Sequence, residues 1–185
     1  MSVIHTESAP ASSQAGFSLL EVLIAVAVFA IALGPITSSL ITSNSLVSTN
    51  RETSIAMDAA LSLVARLKAE DFDSLYRRYN PDPGDDPNGS GSAPGANFVV
   101  LGLDPVSGDP DGMVGRILFP GTGAELLENL DDVEFGTPRD LNGDGAIDAV
   151  DHGDEFIILP IKVRIEWTGH SGDRFVEFVS ALTDV

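Results

Sequence analysis

The chain contains no cysteine, so neither a disulfide nor a thiolate metal site can hold its fold together, and thiol usage says nothing about the compartment. Histidine is almost as scarce. The three present, His5, His152 and His170, have no spacing that makes a zinc pair on a helix, and a transition-metal site is not expected. Positive charge is thin as well: 10 Lys and Arg against 28 Asp and Glu give a formal net charge of -18. That field repels polyanions and anionic lipid headgroups, which argues against nucleic-acid binding through a broad basic face and favours cations as partners. Missing too are a G-x-S-x-G elbow, a phosphate loop ending in GKT or GKS, and a dinucleotide fingerprint. The many acids allow many carboxylate pairs, but none has the surroundings of a catalytic site, so no enzymatic activity is expected.

What the chain does have is oil, concentrated near one end. Over GFSLLEVLIAVAVFAIALGPI, residues 16–36, only Ser18 and Glu21 interrupt the apolar run from Phe17 to Leu33. At the helical rise that run covers about 26 Å, and Gly34, Pro35 and Ile36 bring it to membrane-spanning length. The preceding MSVIHTESAPASSQA has no apolar periodicity and reads as a disordered leader. After Pro35, residues 51–79 are amphipathic: Ile55, Ala59, Leu63, Leu67, Phe72 and Leu75 can share one face. One helix over 17–80, kinked near Pro35, is therefore predicted.

NPDPGDDPNGSGSAPG, residues 80–95, ends that helix in a flexible, Pro- and Gly-rich linker. It also holds an Asn88-Gly89-Ser90 sequon, a pattern too short to weigh. Short strand-like runs follow at 98–103, 113–119, 156–167 and 174–182. In the third, Ile161, Val163, Ile165 and Trp167 alternate with Lys162, Arg164 and Glu166, the pattern of a sheet buried on one face. Pro160 belongs at an edge or bulge. The fold class is thus α+β, with a long N-terminal helix, membrane-spanning in its first half and amphipathic in its second, and an antiparallel β-sheet head over 81–185.

Glu21 is the residue that demands an account, because a lone carboxylate on a lipid-facing helix costs several kcal/mol. A secretory signal peptide has a basic start and a shorter, uninterrupted apolar core, and a plain signal anchor leaves the acid without a partner. Glu21 near the headgroup boundary can also snorkel into water. GFSLLEVLIA resembles the cleavage and methylation motif of type IV prepilins and of type II secretion pseudopilins, although SSQAG lacks the Lys or Arg usual before the glycine. The resemblance implies removal of a leader, residues 1–16, by a prepilin peptidase that cuts between Gly16 and Phe17 and methylates Phe17. The new amine and Glu21 of the same or a neighbouring subunit can then neutralise each other, a pair that sets register more than it stabilises. The family further implies a lollipop-shaped subunit, here similar to minor ones. It is held by one span in the bacterial inner membrane with its head outside, and enters a pilus or pseudopilus with sister pilins through an inner-membrane platform and its ATPase. The alternative is a monomeric, signal-anchored calcium-binding module.

DLNGDGAIDAVD, residues 140–151, fits the D-x-[DN]-x-[DN]-G pattern of a calcium loop. Asp140, Asn142 and Asp144 offer side-chain oxygens, Gly145 allows the turn and Ala146 offers its carbonyl. Asp148 binds through water, Asp151 closes the shell one methylene short of the usual Glu, and Ile147 points inward. No helix precedes the loop, so it is an insertion among strands. Calcium is the expected cofactor, and without an ion the same residues make a solvated turn. The acidic stretches at 82–86 and 104–111 lack this register and read as solvated loops.

Overall fold

The computed structural model describes residues 16–184, so the leader expected over 1–16 lies outside the described residues except for Gly16. The chain divides into two compact units, Met1–Asn44 and Ser45–Val185.

Helix α1, Leu19–Leu67, supplies all the regular structure among the described residues of the first unit. Ser18 opens it: the Leu20 amide donates to Ser18 Oγ at 3.3 Å, and the Glu21 and Val22 amides donate to the Ser18 carbonyl at 3.0 and 3.2 Å. Pro35 lies inside α1 without ending it. Just beyond, the Thr37 and Ser38 hydroxyls donate to the Leu33 and Gly34 carbonyls at 2.6 and 3.1 Å. Such back-bonding hides hydroxyls along an apolar helix. The helix is long and apolar enough to cross a membrane, and none of its most apolar window is buried within the chain.

In the second unit the remaining turns of α1 bury Ala56, Ala60, Leu63, Val64 and Leu67. The helix does not run on to residue 80 as the periodicity predicts. It stops at Leu67, where the Ala69 and Glu70 amides reach back only three residues, to Arg66 and Leu67. A 3-10 turn, Phe72–Ser74, and a short helix α2, Leu75–Tyr79, follow. The break re-aims the chain, so that Phe72 meets Phe156 edge-on at 5.0 Å and Leu75, Tyr76 and Tyr79 are all buried.

The sheet has four antiparallel strands in the order β1-β2-β3-β4, formed by β1 Asn97–Phe98, β2 Gly115–Leu118, β3 Ile158–Gly169 and β4 Gly172–Thr183. Ile161, Val163, Ile165 and Trp167 join Leu159, Leu182 and the buried α1 residues in one core. Of the expected strand over 98–103 only Phe98 is in β1; beyond it Gly102, at φ +89, turns the chain, and Val100 and Leu103 are buried. Pro160 pairs with Ala181 of β4, while β2 reaches β3 only from Lys162 onward, so the proline has no partner on its second side. That is the local edge its missing N–H requires. Residues 80–95 are not a loose linker: Asn80 is buried, donates to Asp85 at 2.7 Å and accepts from the Asp82 amide. The Gly95 amide meanwhile bonds the Arg78 carbonyl.

Candidate functional site

Two stretches carry candidate chemistry. The first is the start of α1. Phe17 is exposed, and Glu21 sits in the first helical turn among exposed Leu20, Val22, Leu23 and Ile24. There the partial positive charge of unpaired amides favours an anion. Ser18 and Glu21 also have the spacing of a capping box, but Ser18 Oγ accepts from the Leu20 amide and the Glu21 amide goes to the Ser18 carbonyl, so the box itself is not formed. A carboxylate in the first turn is thus favourably placed against the helix end, an account of Glu21 that attention to the membrane alone passes over.

The second stretch is the acidic loop. Asp140 accepts from the amides of Gly143 (2.5 Å) and Gly145 (2.9 Å), Asn142 from that of Asp144, and Asp144 from that of Ala146. Each short side chain bends the backbone round itself, which is why Asp, Asn and Gly alternate here. The Gly145 amide, against the opposing effect of burial and aided by the Gly143, Asp144 and Asn142 amides, holds the Asp140 carboxyl below its usual pKa. Leu141, fully buried, ties the loop to the core and accepts from the Ile157 and Ile158 amides. Ile147, expected to point inward, is 51% exposed. Leu141 has the anchoring role because it lies beside the start of β3.

The last two ligand residues expected of the loop also meet groups outside the motif. Asp151 Oδ1 accepts from the Leu126 and Gly153 amides at 2.8 and 3.0 Å, which engages it with a neighbouring segment. Asp148 is brought to Glu128 and His152, neither of which the motif contains. Glu128, 1% exposed, accepts from the amides of Leu141 (2.8 Å) and Asp148 (2.9 Å) and so clasps both sides of the loop. His152 is buried, its amide bonded to the Leu126 carbonyl and its Nδ1 3.5 Å from Asn142 Nδ2. Its Nε2 lies 3.3 Å from Glu128 Oε1 and 3.4 Å from Asp148 Oδ1. Glu128 lies twelve residues before the loop, so no local pattern points to it. The one available signal was an Asp-x-x-x-His spacing from Asp148 to His152.

Compared with known protein families, residues 11–37 match the prokaryotic N-terminal methylation motif. The chain carries a prepilin-type N-terminus. No curated protein and no solved structure matches it. The prepilin motif supports the type IV pilin and pseudopilin family, and the long apolar helix followed by a four-stranded antiparallel sheet fits the α+β architecture expected of a pilin-like subunit. The motif is one that points to a structural subunit, and it implies processing by a prepilin peptidase and assembly with other pilins in a membrane machinery. Together with the exposed apolar helix, it fits a membrane-anchored, single-pass protein.

Proposed function

We propose that this chain is a minor subunit of a type IV pilus or type II secretion pseudopilus. In this reading it is held in the bacterial inner membrane by the first part of α1, head outside, until a platform and its ATPase draw it into the filament. The carrying observation is the methylation motif over 11–37, which coincides with an exposed helix start that is apolar from Leu19 to Leu33 apart from Glu21. Cleavage between Gly16 and Phe17 frees an amine at Phe17, and in a filament core that cation meets Glu21 of its own or an adjoining subunit. Mass spectrometry of the N-terminus is the test. A chain beginning with methylated Phe17 supports the reading, and one beginning at Met1 or beyond Leu33 refutes it. Glu21→Ala then separates pairing from snorkelling and from a helix-end role, since only pairing requires loss of filament incorporation while the monomer remains in the membrane.

The head's acidic loop supports a second part of the proposal, a calcium ion held by Asp140, Asn142, Asp144 and the Ala146 carbonyl, with Asp148 through water. The donors are all oxygen, as calcium prefers, and Asp140 is kept ionised by backbone amides. Asp151 would have to release the Leu126 or Gly153 amide, or use its second oxygen, to close the shell.

A further inference from the structure

Beside the oxygen-rich loop lies a group that calcium chemistry does not explain. Glu128, Asp148 and His152 each offer one ligand atom, and the three lie within 4.8 Å of one another. Glu128 and His152 are 1% and 5% exposed, yet His152 Nε2 has no well-formed hydrogen bond to either carboxylate. A buried imidazole nitrogen aimed at two acids without bonding them is an atom short of a partner.

We infer that these three side chains form a site for a first-row transition-metal dication, with Zn2+ as its test ion. Metal–ligand bonds of about 2.0–2.1 Å in a tetrahedral shell put ligand atoms about 3.3–3.4 Å apart. The two distances from His152 Nε2, 3.3 and 3.4 Å, already have that length. The carboxylates are held by backbone amides: Glu128 Oε2 accepts from Leu141, while the two ligand oxygens themselves each accept one amide, Glu128 Oε1 from Asp148 and Asp148 Oδ1 from Val150 at 2.8 Å, which leaves each a second lone pair for the ion. Such outer bonds fix ligand geometry before an ion arrives. Asp148 is 46% exposed, which leaves a solvent path to the site and room for water as fourth ligand. Imidazole is the deciding donor, because it suits zinc-class ions and is foreign to the oxygen shell of calcium. The two ions can coexist, since the ninth place of the calcium loop binds through water and leaves the Asp148 carboxylate to the second metal.

The test titrates Zn2+ into the full chain in detergent micelles with calcium already saturating, and records calorimetry and, with Co2+ in its place, visible absorption. One equivalent of Zn2+ should bind, with the intense ligand-field bands of tetrahedral Co2+. His152→Gln should weaken binding at least tenfold. Should that variant fold poorly, Asp148→Asn at the half-exposed position keeps an oxygen for the Val150 amide and should also weaken Zn2+ at least tenfold. Absence of binding, affinity unchanged in both variants, or displacement of Zn2+ by excess calcium overturns the site. An Asp140→Asn variant tells the two metals apart: it should abolish the calcium response and leave that of Zn2+. The site does not rest on the filament reading, which the N-terminal mass decides separately.

Discussion

Glu52 shows how one surface-side carboxylate joins α1 to the hairpin of β3 and β4. Its Oε2 accepts from the Trp167 indole at 3.3 Å, both oxygens lie 3.4 Å from the His170 amide, and Ser48 donates to Oε1 at 3.2 Å. Burial opposes its charge, but the bonds from Trp167, His170 and Ser48 with the charge of Arg174 outweigh it, and its pKa is lowered. A group with a lowered folded pKa adds stability above the unfolded carboxyl value, about 4.3, and that stability is lost as pH falls through the folded value. Glu52→Gln should therefore melt below wild type at pH 7, and the gap should close as denaturation is followed down to about pH 3. A gap constant with pH would show that charge is irrelevant here. Tyr76 presents the reverse case. Its hydroxyl is buried without a hydrogen-bond partner. Burial, then the charges of Asp151 and Asp85, raise its pKa, while Asn80 pulls weakly the other way without a well-formed bond. An unsatisfied buried hydroxyl costs about 1–3 kcal/mol, so Tyr76→Phe should leave the denaturation midpoint unchanged or raise it. A drop of more than about 1 kcal/mol would reveal a partner the structure does not show.

At the scale of elements, the pairing of helix and sheet depends on small residues. Ala56 and Ala60 are 0% and 1% exposed, with Leu63, Val64 and Leu67 next along the same face. They share one core cluster with Ile161, Val163, Ile165 and Trp167 of β3, and at core packing density a larger side chain there has to displace its neighbours. Ala60→Leu should cost about 1–3 kcal/mol by overpacking, read as a lower midpoint in urea with an unchanged slope. Equal stability would mean that the face yields. The helical period found only part of the α1 face: Leu63 and Leu67 are buried as expected, Ile55 and Ala59 only partly, and Ala56, Ala60 and Val64 were missed. The alternation in β3 was legible in the sequence because it follows a short period set by its own backbone. The end of α1 at Leu67 was not, since Phe72, Leu75 and Tyr76 obey the helical period on paper and break it to reach Phe156 and Phe119. Nor was the burial of Lys162, which the alternation turns to solvent. Glu134 pairs with its ammonium and the Phe135 ring lies 5.0 Å away, both from a loop remote in sequence. Non-local contact also explains why Asp140 and Asp144 were found by motif while Glu128 and His152 were not. The twelve-residue pattern carries its own spacing, whereas Glu128 joins it only through the folded chain.

The whole chain has a formal charge of -18 with few cations to offset it, and where those cations sit decides what the remaining acids can do. Among the described residues, the Lys and Arg ion pairs go to Glu70, Glu134, Asp154, Glu166 and Glu177, none of them in the 140–151 loop. The loop's carboxylates therefore repel one another with only His152 beside Asp148, in a chain with no disulfide to hold it. A dication bound there relieves repulsion in the folded state alone, and the linkage is large: an ion at a hundred times its dissociation constant adds about 2.7 kcal/mol. For a chain of this size that converts to roughly 5–10 °C of melting temperature. Saturating Ca2+ should raise the head's midpoint by that amount over NaCl at matched ionic strength, the control that removes simple screening. EGTA should reverse the rise, and Asp140→Asn should abolish it. If NaCl alone reproduces the shift, or the variant keeps it, the acids are a solvated, screened surface and calcium has no place in the loop.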